Sequence, residues 1–559
     1  MLAFVANCVV MMIEVAAARI LSLRAGNSLY TWTSVIGIVL GGITLGNLVG
    51  GRLADRFDCR KLIAFLFLLG AVTSFAVPLL DHAFEEWDSW DKLEKLQSWP
   101  LRIALHVTVV FLIPSTCMGL VGPLVAKLAL VERSGTGRTV GNVYAAGALG
   151  SIAGTFAAGF WLIDWLGTSG VVVGAAGLLG ILGTLLAPSV ARPFFVVAWP
   201  FIVGAAVTFL LPAGPRFYRE WKGDSGRLIL SDTHAEDEIY RDVSQYAFIR
   251  VTDVRKAGTR RLYLDNLLHA VWVVGKDTEL FYSYEKIYAS VTERFGRGRE
   301  AIHTLFVGGG GFVFPRYVRA RWPRGRIQVV EIDPAVTEAD FVGLGLDRAH
   351  VRILPRAVAE APRATGADAS EPGAAEEARP MEAYHLDGRN HVEDLLKLRR
   401  DGSHIEPFDF IYGDAFNDFS VPFHLVTIEF AEKLKALLRP RTGLYLMNII
   451  DIYASGKFLG AIYNTLRKTF PNVYILSTLP NSLEEGVTQR DTFIVIGALE
   501  ALDLEGLGTR EGETPFSGEL LKEEHLRLLE QRSGGLVLTD DFSPVENLLE
   551  PVVRHRGDK

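Results

Sequence analysis

The chain has 559 residues, of which 49% are hydrophobic, and it carries a formal net charge of −7. Its mean hydropathy is +0.23, which excludes a wholly soluble enzyme, and so much apolar surface also excludes a disordered or fibrous chain. The charges divide unevenly, because residues 1–211 hold 13 Lys/Arg and 11 Asp/Glu whereas residues 212–559 hold 44 and 53. The acidic excess of the second part argues against nucleic acid as a partner.

The first part has the composition of a membrane domain. A helix needs about 20 apolar residues to cross a bilayer, and several stretches reach or approach this length. They are residues 2–23, 31–51, 62–80, 101–126, 140–163, 170–188 and 194–211. We therefore predict an α-helical transmembrane bundle over residues 1–211, with about seven spans and the lipid bilayer as a partner.

Small residues recur every fourth position in two of these spans, where they share one face of the helix. The two sets are Gly42, Gly46, Gly50 and Gly150, Gly154, Ala158. Such faces let helix backbones approach closely in lipid, so we predict close helix packing there rather than a transport role for the glycines.

The basic segments 52–61 and 127–138 favour the cytoplasmic side, and the acidic segment 81–95 favours the outside. Three further spans would then place residue 212 outside, yet basic residues follow it at once and favour the inside. One of the seven segments must be re-entrant or interfacial, or the number of spans is wrong.

The second part has the patterns of an α/β domain. Residues 225–300 contain β-rich runs separated by turn residues, which predicts a small β-rich module. Strand and helix patterns alternate over residues 301–559, which predicts a Rossmann-like domain with a doubly wound, mostly parallel sheet. Residues 357–380 consist largely of Ala, Glu, Pro and Gly, so we predict a disordered surface insert.

Three strand ends of this domain carry residues suited to a ligand site. Gly308–Gly311 would let the backbone approach a ligand at a helix N-terminus. Glu331 and Asp333 end the next strand about twenty residues later, a spacing that suits hydrogen bonds to ribose hydroxyls. Asp414 ends a third strand. The sequence therefore predicts a nucleoside site, without a phosphate-binding Gly-Lys-Ser/Thr loop and without a metal centre.

Six segments of the second part occur in the order found in the spermidine synthase family of polyamine aminopropyltransferases: LYLDNLLHA, FYSYEKIYAS, FVGGGGFVFPRYV, VVEIDPAV, HLDGRNHVE and FDFIYGDAFNDFSVPFHL. The first part resembles the membrane portion of the fused, membrane-bound members, through NSLYTWTSVIGIVLGGITLGNLVGGRLADR. The resemblance implies a fold like that of S-adenosylmethionine-dependent methyltransferases, with a small N-terminal β-domain. It also implies decarboxylated S-adenosylmethionine as cosubstrate and no permanently bound cofactor.

The resemblance assigns roles to individual residues. Asp414 would be the catalytic acid that takes a proton from the attacking amine, and no metal is needed because a sulfonium is already an activated leaving group. The residues implied to bind the cosubstrate are Gly308, Gly309, Gly310, Glu331, Asp333, Asp387 and Gly388. Those assigned to the amine substrate are Tyr284, His269, Asp265 and Asp418.

The chain also departs from the family pattern. The Asp that usually follows the glycines is Gly311, the Gln that closes the LDGxxQ motif is His269, and Asn266 replaces its Gly. The second Asp of the catalytic stretch is Asn417, although Asp418 is adjacent. These changes weaken the case for a polycationic substrate. An acid at position 311 would repel the carboxylate of intact S-adenosylmethionine, so its loss is compatible with methyl transfer.

Three functions therefore stay open. The first is membrane-bound aminopropyl transfer to an amine in polyamine biosynthesis, and the second is methyl or alkyl transfer from intact S-adenosylmethionine. The third is a polyamine transporter with a regulatory nucleoside-binding domain, for which Glu14 inside the first span is a candidate residue. We expect a multi-pass protein of the cell inner membrane with its soluble domain in the cytoplasm, where the cosubstrate is made, and a homo-oligomer is possible.

Two further expectations concern residues near the motifs. Tyr282, Tyr284 and Tyr288 share one helix face, and only Tyr284 is expected in the site because it matches the motif; core packing explains the others. His385 and His391 flank LDGRN, and we expect both to face solvent.

Overall fold

The computed structural model describes residues 1–25, 29–86, 99–132, 135–188, 218–221, 228–231, 237–244, 246–265, 267–355, 378–416, 421–484 and 487–554. The chain divides into two compact units, Met1–Glu236 with Val243–Ala247, and Asp237–Asp242 with Phe248–Lys559. The predicted span 194–211 and nearly all of the predicted insert 357–380 lie outside the described residues.

The described part of the first unit is mainly helical. Its helices are α1 (Leu2–Ala25), α2 (Leu29–Arg56), α3 (Cys59–Glu86), α4 (Trp99–Gly119), α5 (Val121–Glu132), α6 (Thr136–Ala157) and α7 (Ile163–Leu186), with a π-helical turn at Ala158–Leu162. Five described helical segments are long and apolar enough to cross a membrane: Leu2–Leu21, Tyr30–Arg56, Cys59–Pro78, Ile103–Val131 and Thr136–Leu162. They match the first five predicted spans, and the shorter apolar segment Gly170–Leu186 matches the sixth.

Two boundaries differ from the sequence prediction. The predicted span 101–126 is interrupted at Leu120 between α4 and α5, because Pro123 has no N–H to donate to the carbonyl of Gly119. No loop separates the predicted spans 140–163 and 170–188, since the backbone stays helical from Thr136 to Leu186, a stretch that contains no proline.

The close helix packing predicted for the small residues is confirmed. A Cβ atom at Gly46 of α2 would lie 2.4 Å from the carbonyl oxygen of Thr116 in α4, and one at Gly154 of α6 would lie 2.2 Å from that of Cys8 in α1. Only glycine permits these approaches. Glu14 in α1 is half-buried, and its Oε2 atom has no hydrogen-bond partner among the described residues.

Two sheets are built from the strands before residue 280. Strands β1 (Tyr218–Trp221) and β2 (Leu228–Ser231) form an antiparallel hairpin in the first unit. Strands β3 (Glu238–Val243), β4 (Phe248–Val254), β5 (Thr259–Leu264) and β6 (Leu267–Val273) form a sheet in that order. The predicted β-rich region 225–300 thus ends in a helix, α8 (Ser283–Phe295).

The Rossmann-like part of the second unit is an eight-stranded sheet in the order β13-β14-β12-β11-β7-β8-β10-β9. Its strands are β7 (His303–Val307), β8 (Arg326–Val330), β9 (Val351–Leu354), β10 (Met381–Tyr384), β11 (Phe410–Gly413), β12 (Leu444–Asp451), β13 (Asn472–Ser477) and β14 (Asp491–Ala498). Strands β9, β10, β8, β7, β11 and β12 are parallel to one another. Strand β14 is antiparallel to both of its neighbours, β12 and β13. The sheet is therefore mostly parallel, as predicted.

Helices lie between these strands and after the last of them in the chain, and the order of the strands in the sheet reverses between β7 and β11. The helices are α9 (Val313–Arg321), α10 (Pro334–Val342), α11 (Gly388–Arg400), α12 (Ile428–Leu437), α13 (Lys457–Thr469), α14 (Glu523–Arg532), α15 (Val545–Leu548) and α16 (Glu550–Arg554). All five residues of β7 are buried, as expected for a parallel strand covered on both faces. The reversal is a topological switch point, where ligands of such sheets bind.

Replacement of Gly154 by Ala is expected to destabilise the first unit by about 1–3 kcal/mol, because the added methyl group would overlap the backbone at Cys8. Gly141→Ala in the same helix is the matched control, since a Cβ atom there meets nothing within 4 Å. Thermal unfolding of both variants in detergent checks this, and equal unfolding temperatures would contradict the close packing.

Candidate active site

The switch point brings the glycine turn and Asp414 to one edge of the sheet. The amide of Gly308 donates to the carbonyl of Val330 at 2.9 Å, and the amide of Asp414 donates to that of Val307 at 2.8 Å. The parallel ladder thus continues one residue beyond β7 and β11. The turn after β7 and the segment after β11 leave the sheet side by side.

Close contacts with neighbouring residues, as well as the turn itself, require glycine at positions 308 and 309. Gly308 has a φ of +101°, and a Cβ atom there would lie 2.2 Å from the carbonyl oxygen of Asp414. A Cβ atom at Gly309 would lie 2.6 Å from Cγ1 of Val329. The amide of Gly309 donates to Oε2 of Glu331 at 3.1 Å, so the turn also fixes that carboxylate.

Position 311 cannot carry the aspartate that the family resemblance leads one to expect. Gly311 has a φ of +83°, and a Cβ atom there would lie 2.2 Å from Cβ of Ala270 in β6. Phe312 follows with a φ of +47° and begins α9, a conformation that bulky residues rarely adopt. The packing of β6 against the turn therefore excludes a side chain at position 311, so this residue cannot supply a carboxylate.

A cleft opens beside the turn. Its lining consists of Tyr284, Glu285, Tyr288, Phe306, Gly308, Gly309, Gly310, Val313, Phe314, Pro315 and Asp414. Its aromatic rings pack on one another, with ring centroids 5.4 Å apart for Tyr288 and Phe314 and 5.7 Å apart for Tyr284 and Tyr288. None of these lining residues is basic. The cleft thus combines aromatic faces with two carboxylates, a combination that favours a cationic ligand.

Asp414 is held in a fixed orientation within the cleft. Its Oδ1 atom accepts a hydrogen bond of 2.8 Å from the side-chain amide of Asn448 in β12. Burial raises the pKa of Asp414, and the hydrogen bonds from Asn448 and the Tyr284 hydroxyl oppose that rise. Burial also raises the pKa of Tyr284, so this hydroxyl stays protonated and remains a donor. A carboxylate with a raised pKa is a better proton acceptor.

Glu285 is a second carboxylate in the cleft, more deeply buried than Asp414, and the sequence analysis missed it. Glu285 is 2% exposed. Its Oε2 atom accepts a hydrogen bond of 3.2 Å from the amide of Tyr282 at the start of α8. Burial raises the pKa of Glu285 to about 8, and the charge of Asp414 adds to the rise. The available signal was its place directly after Tyr284 in the recognised motif.

Glu331 and Asp333 have different roles. The Oε1 atom of Glu331 accepts the amide of Asp333 at 3.0 Å, while its Oε2 atom faces Gly309. Burial raises the pKa of Glu331 to about 7. Asp333 instead caps α10, because its Oδ1 atom accepts the amide of Ala335 at 2.9 Å. Glu331 is therefore the carboxylate fixed directly by the glycine turn.

Asp387 and Gly388 lie just beyond β10, where α11 begins. Oδ1 of Asp387 accepts the amides of Arg389 and Asn390, and Oδ2 lies 2.8 Å from Nε2 of His424. Burial tends to raise the pKa of Asp387, but the His424 contact and the amides lower it overall. A Cβ atom at Gly388 would lie 2.5 Å from Cγ1 of Val307, which places this helix start against the end of β7.

Some predicted site residues do not line the cleft. Asp265 has a φ of +52°, and its Oδ1 atom accepts the amide of Phe248 at 2.9 Å, so it holds a turn of the four-stranded sheet. His269 lies in β6, and burial lowers its pKa to about 4, which leaves it uncharged. Neither is among the lining residues, and Asp418 lies outside the described residues.

Two expectations about neighbouring residues need correction. Tyr288 packs in the core as expected, with 1% exposure, but it also lines the cleft together with Tyr284. The expectation that His385 and His391 face solvent was wrong. His391 is fully buried, with Nε2 3.1 Å from Oε1 of Gln328, because this face of α11 packs on the sheet. His385 is half-buried, and its Nε2 atom lies 3.1 Å from the Thr337 hydroxyl.

No family model and no curated protein sequence matches this chain. Solved structures similar to it include a probable spermidine synthase from Corynebacterium glutamicum, at 18% identity over 56% of this chain and 99% of that one, with a TM-score of 0.41. Spermidine synthase from Thermotoga maritima is 15% identical over 57% and 96%, with a TM-score of 0.34. Human methyltransferase-like protein 13 with S-adenosylhomocysteine is 18% identical over 45% and 91%, with a TM-score of 0.27. Likeness at this level leaves the reaction to be argued from the cleft itself.

Binding of an uncharged nucleoside such as methylthioadenosine is expected to strengthen from about pH 6 to about pH 8. Glu331, with a pKa of about 7, loses its proton over this range and becomes the stronger acceptor for ribose hydroxyls. Glu331→Gln should bind more weakly at the higher pH and show a flatter pH profile. Calorimetry of both proteins across the range checks this, and parallel profiles would contradict a ribose contact at Glu331.

Proposed function

We propose that this chain is a membrane-bound transferase that moves an aminopropyl group from decarboxylated S-adenosylmethionine to an amine. The observation that carries the proposal is the partly buried carboxylate of Asp414, which shares one cleft with the glycine turn and with aromatic rings. An amine acceptor needs a proton acceptor and an anionic partner, and Asp414 supplies both. The first unit would anchor the enzyme in the bilayer, with the catalytic unit in the cytoplasm.

Different residues around the cleft would have different roles in such a reaction. The nucleoside would lie over Gly308–Gly310, with its ribose hydroxyls donating to Glu331. The amine nitrogen attacks the methylene carbon next to the sulfonium, the carbon–sulfur bond breaks, and its electron pair leaves on the sulfur of methylthioadenosine. Asp414 takes the proton that the amine loses. The Tyr284 hydroxyl and the Asn448 amide hold the carboxylate in place for this step.

The electrostatics of the cleft support cationic reactants. Glu285 is buried and Asp414 is partly buried, and none of the described lining residues is basic. A bound cation offsets the cost of keeping such carboxylates ionised away from water. Both the sulfonium cosubstrate and the amine acceptor meet this requirement.

A second candidate is methyl or alkyl transfer from intact S-adenosylmethionine, and the geometry at Gly311 favours it. No carboxylate fits at this position, because Ala270 occupies the space that a Cβ atom would need. The carboxylate of intact S-adenosylmethionine would therefore meet no repulsion from that residue. The two candidates share the nucleoside site and differ in the group that is transferred.

Asp414→Asn is expected to reduce turnover by about a hundredfold or more, because the amide cannot take a proton. Nucleoside affinity should change little, since the glycine turn and Glu331 are untouched. Asp541→Asn makes the same chemical change at an exposed position and is the matched control. Formation of methylthioadenosine from the decarboxylated cosubstrate with a panel of amines measures turnover. Full activity in the Asp414 variant would show that another group accepts the proton.

A further inference from the structure

Glu285 is a carboxylate that the proposed reaction leaves unused. It lines the cleft with Asp414 and is buried. Its Oε2 atom accepts a hydrogen bond from the amide of Tyr282, which helps to begin α8. A glutamine side chain could accept the same hydrogen bond, so the capping contact does not account for an ionisable carboxyl group at this buried position.

The cosubstrate of the proposed reaction brings a group that needs such a partner. The propylamine arm of decarboxylated S-adenosylmethionine ends in a primary ammonium, which must be paired when it leaves water. Gly311 cannot provide a carboxylate, because a side chain there would overlap Ala270. Asp414 is assigned to the attacking amine. Among the described residues that line the cleft, Glu285 is the remaining carboxylate.

We propose that Glu285 binds the terminal ammonium of the cosubstrate arm and thereby selects the decarboxylated cosubstrate over intact S-adenosylmethionine. The inference rests on the proposed function, because it takes an aminopropyl donor as the ligand. The same carboxylate that attracts the ammonium repels the carboxylate that intact S-adenosylmethionine carries beside its own ammonium. Glu285 thus determines which cosubstrate binds, while Asp414 accepts the proton that the attacking amine loses.

Glu285→Gln separates the charge from the capping contact. With no amine acceptor present, calorimetry of the full chain in detergent compares the two cosubstrates in wild type and variant. The ratio of their dissociation constants should shift by about ten- to a hundredfold toward the intact form, the usual worth of a hydrogen bond to a charged group. Glu279→Gln, at an exposed position shortly before α8, is the matched control and should leave the ratio unchanged.

A third ligand shows whether the variant keeps its nucleoside site. A dimethylsulfonium nucleoside, which has the sulfonium but lacks the propylamine arm, should bind equally to wild type and Glu285→Gln. In the wild type alone it should bind at least about tenfold more weakly than decarboxylated S-adenosylmethionine. That comparison needs no variant, so the proposal stays testable if Glu285→Gln fails to fold.

The outcomes distinguish this inference from the proposed function. If the wild type prefers the decarboxylated cosubstrate and Glu285→Gln keeps the full preference, the role of Glu285 is overturned and aminopropyl transfer stands. Equal binding of the armless ligand and the decarboxylated cosubstrate to the wild type overturns an ammonium site in the cleft. If the wild type prefers intact S-adenosylmethionine, the proposed donor itself is wrong and this inference fails with it.

Discussion

The candidate site depends on the close approach of Gly308 to the carbonyl of Asp414. These residues follow neighbouring parallel strands, and a Cβ atom at position 308 would lie 2.2 Å from the Asp414 oxygen. Because no side chain intervenes, the glycine turn and the carboxylate share one edge of the sheet. The other parts are tied to this contact: Glu331 through the amide of Gly309, and Gly388 through its packing on Val307.

Electrostatics then give this edge its chemical character. Burial raises the pKa values of Glu285 and Asp414, which line the cleft, and of Glu331, which contacts the glycine turn. Several such shifts close together are typical of functional sites. The hydrogen bonds to Asp414 come from the side chains of Asn448 and Tyr284. Both side chains are neutral, so neither balances the negative charge of an ionised Asp414. A cationic ligand would supply the missing counter-charge, which makes the cleft more suited to amines and sulfonium compounds than to anions.

Much of this arrangement could be predicted from the sequence, because the ends of parallel strands converge at one edge. A glycine run followed by acids at two later strand ends was therefore enough to predict that Gly308, Glu331 and Asp414 lie at the same edge of the sheet, while their roles stay predictions. Close packing of the glycine faces followed from their spacing of four residues, because that spacing fixes one helix face.

Other features could not be predicted, because they depend on contacts between distant segments. Ala270, which belongs to a different sheet, excludes a side chain at position 311. Asn448 donates its hydrogen bond to Asp414 from the neighbouring strand β12. Glu285 resembles an ordinary helix-capping residue until its burial in the cleft is known. His391 was misplaced because its residue type says nothing about which face of α11 packs on the sheet.

The most direct test of the account is the identity of the nucleoside product. The purified full chain would be given equal amounts of intact and decarboxylated S-adenosylmethionine with a mixture of amines, and the products would be identified by mass spectrometry. The account predicts methylthioadenosine together with an aminopropylated amine. S-adenosylhomocysteine with a methylated acceptor would contradict aminopropyl transfer, and the absence of any nucleoside product would contradict a transferase acting in this cleft.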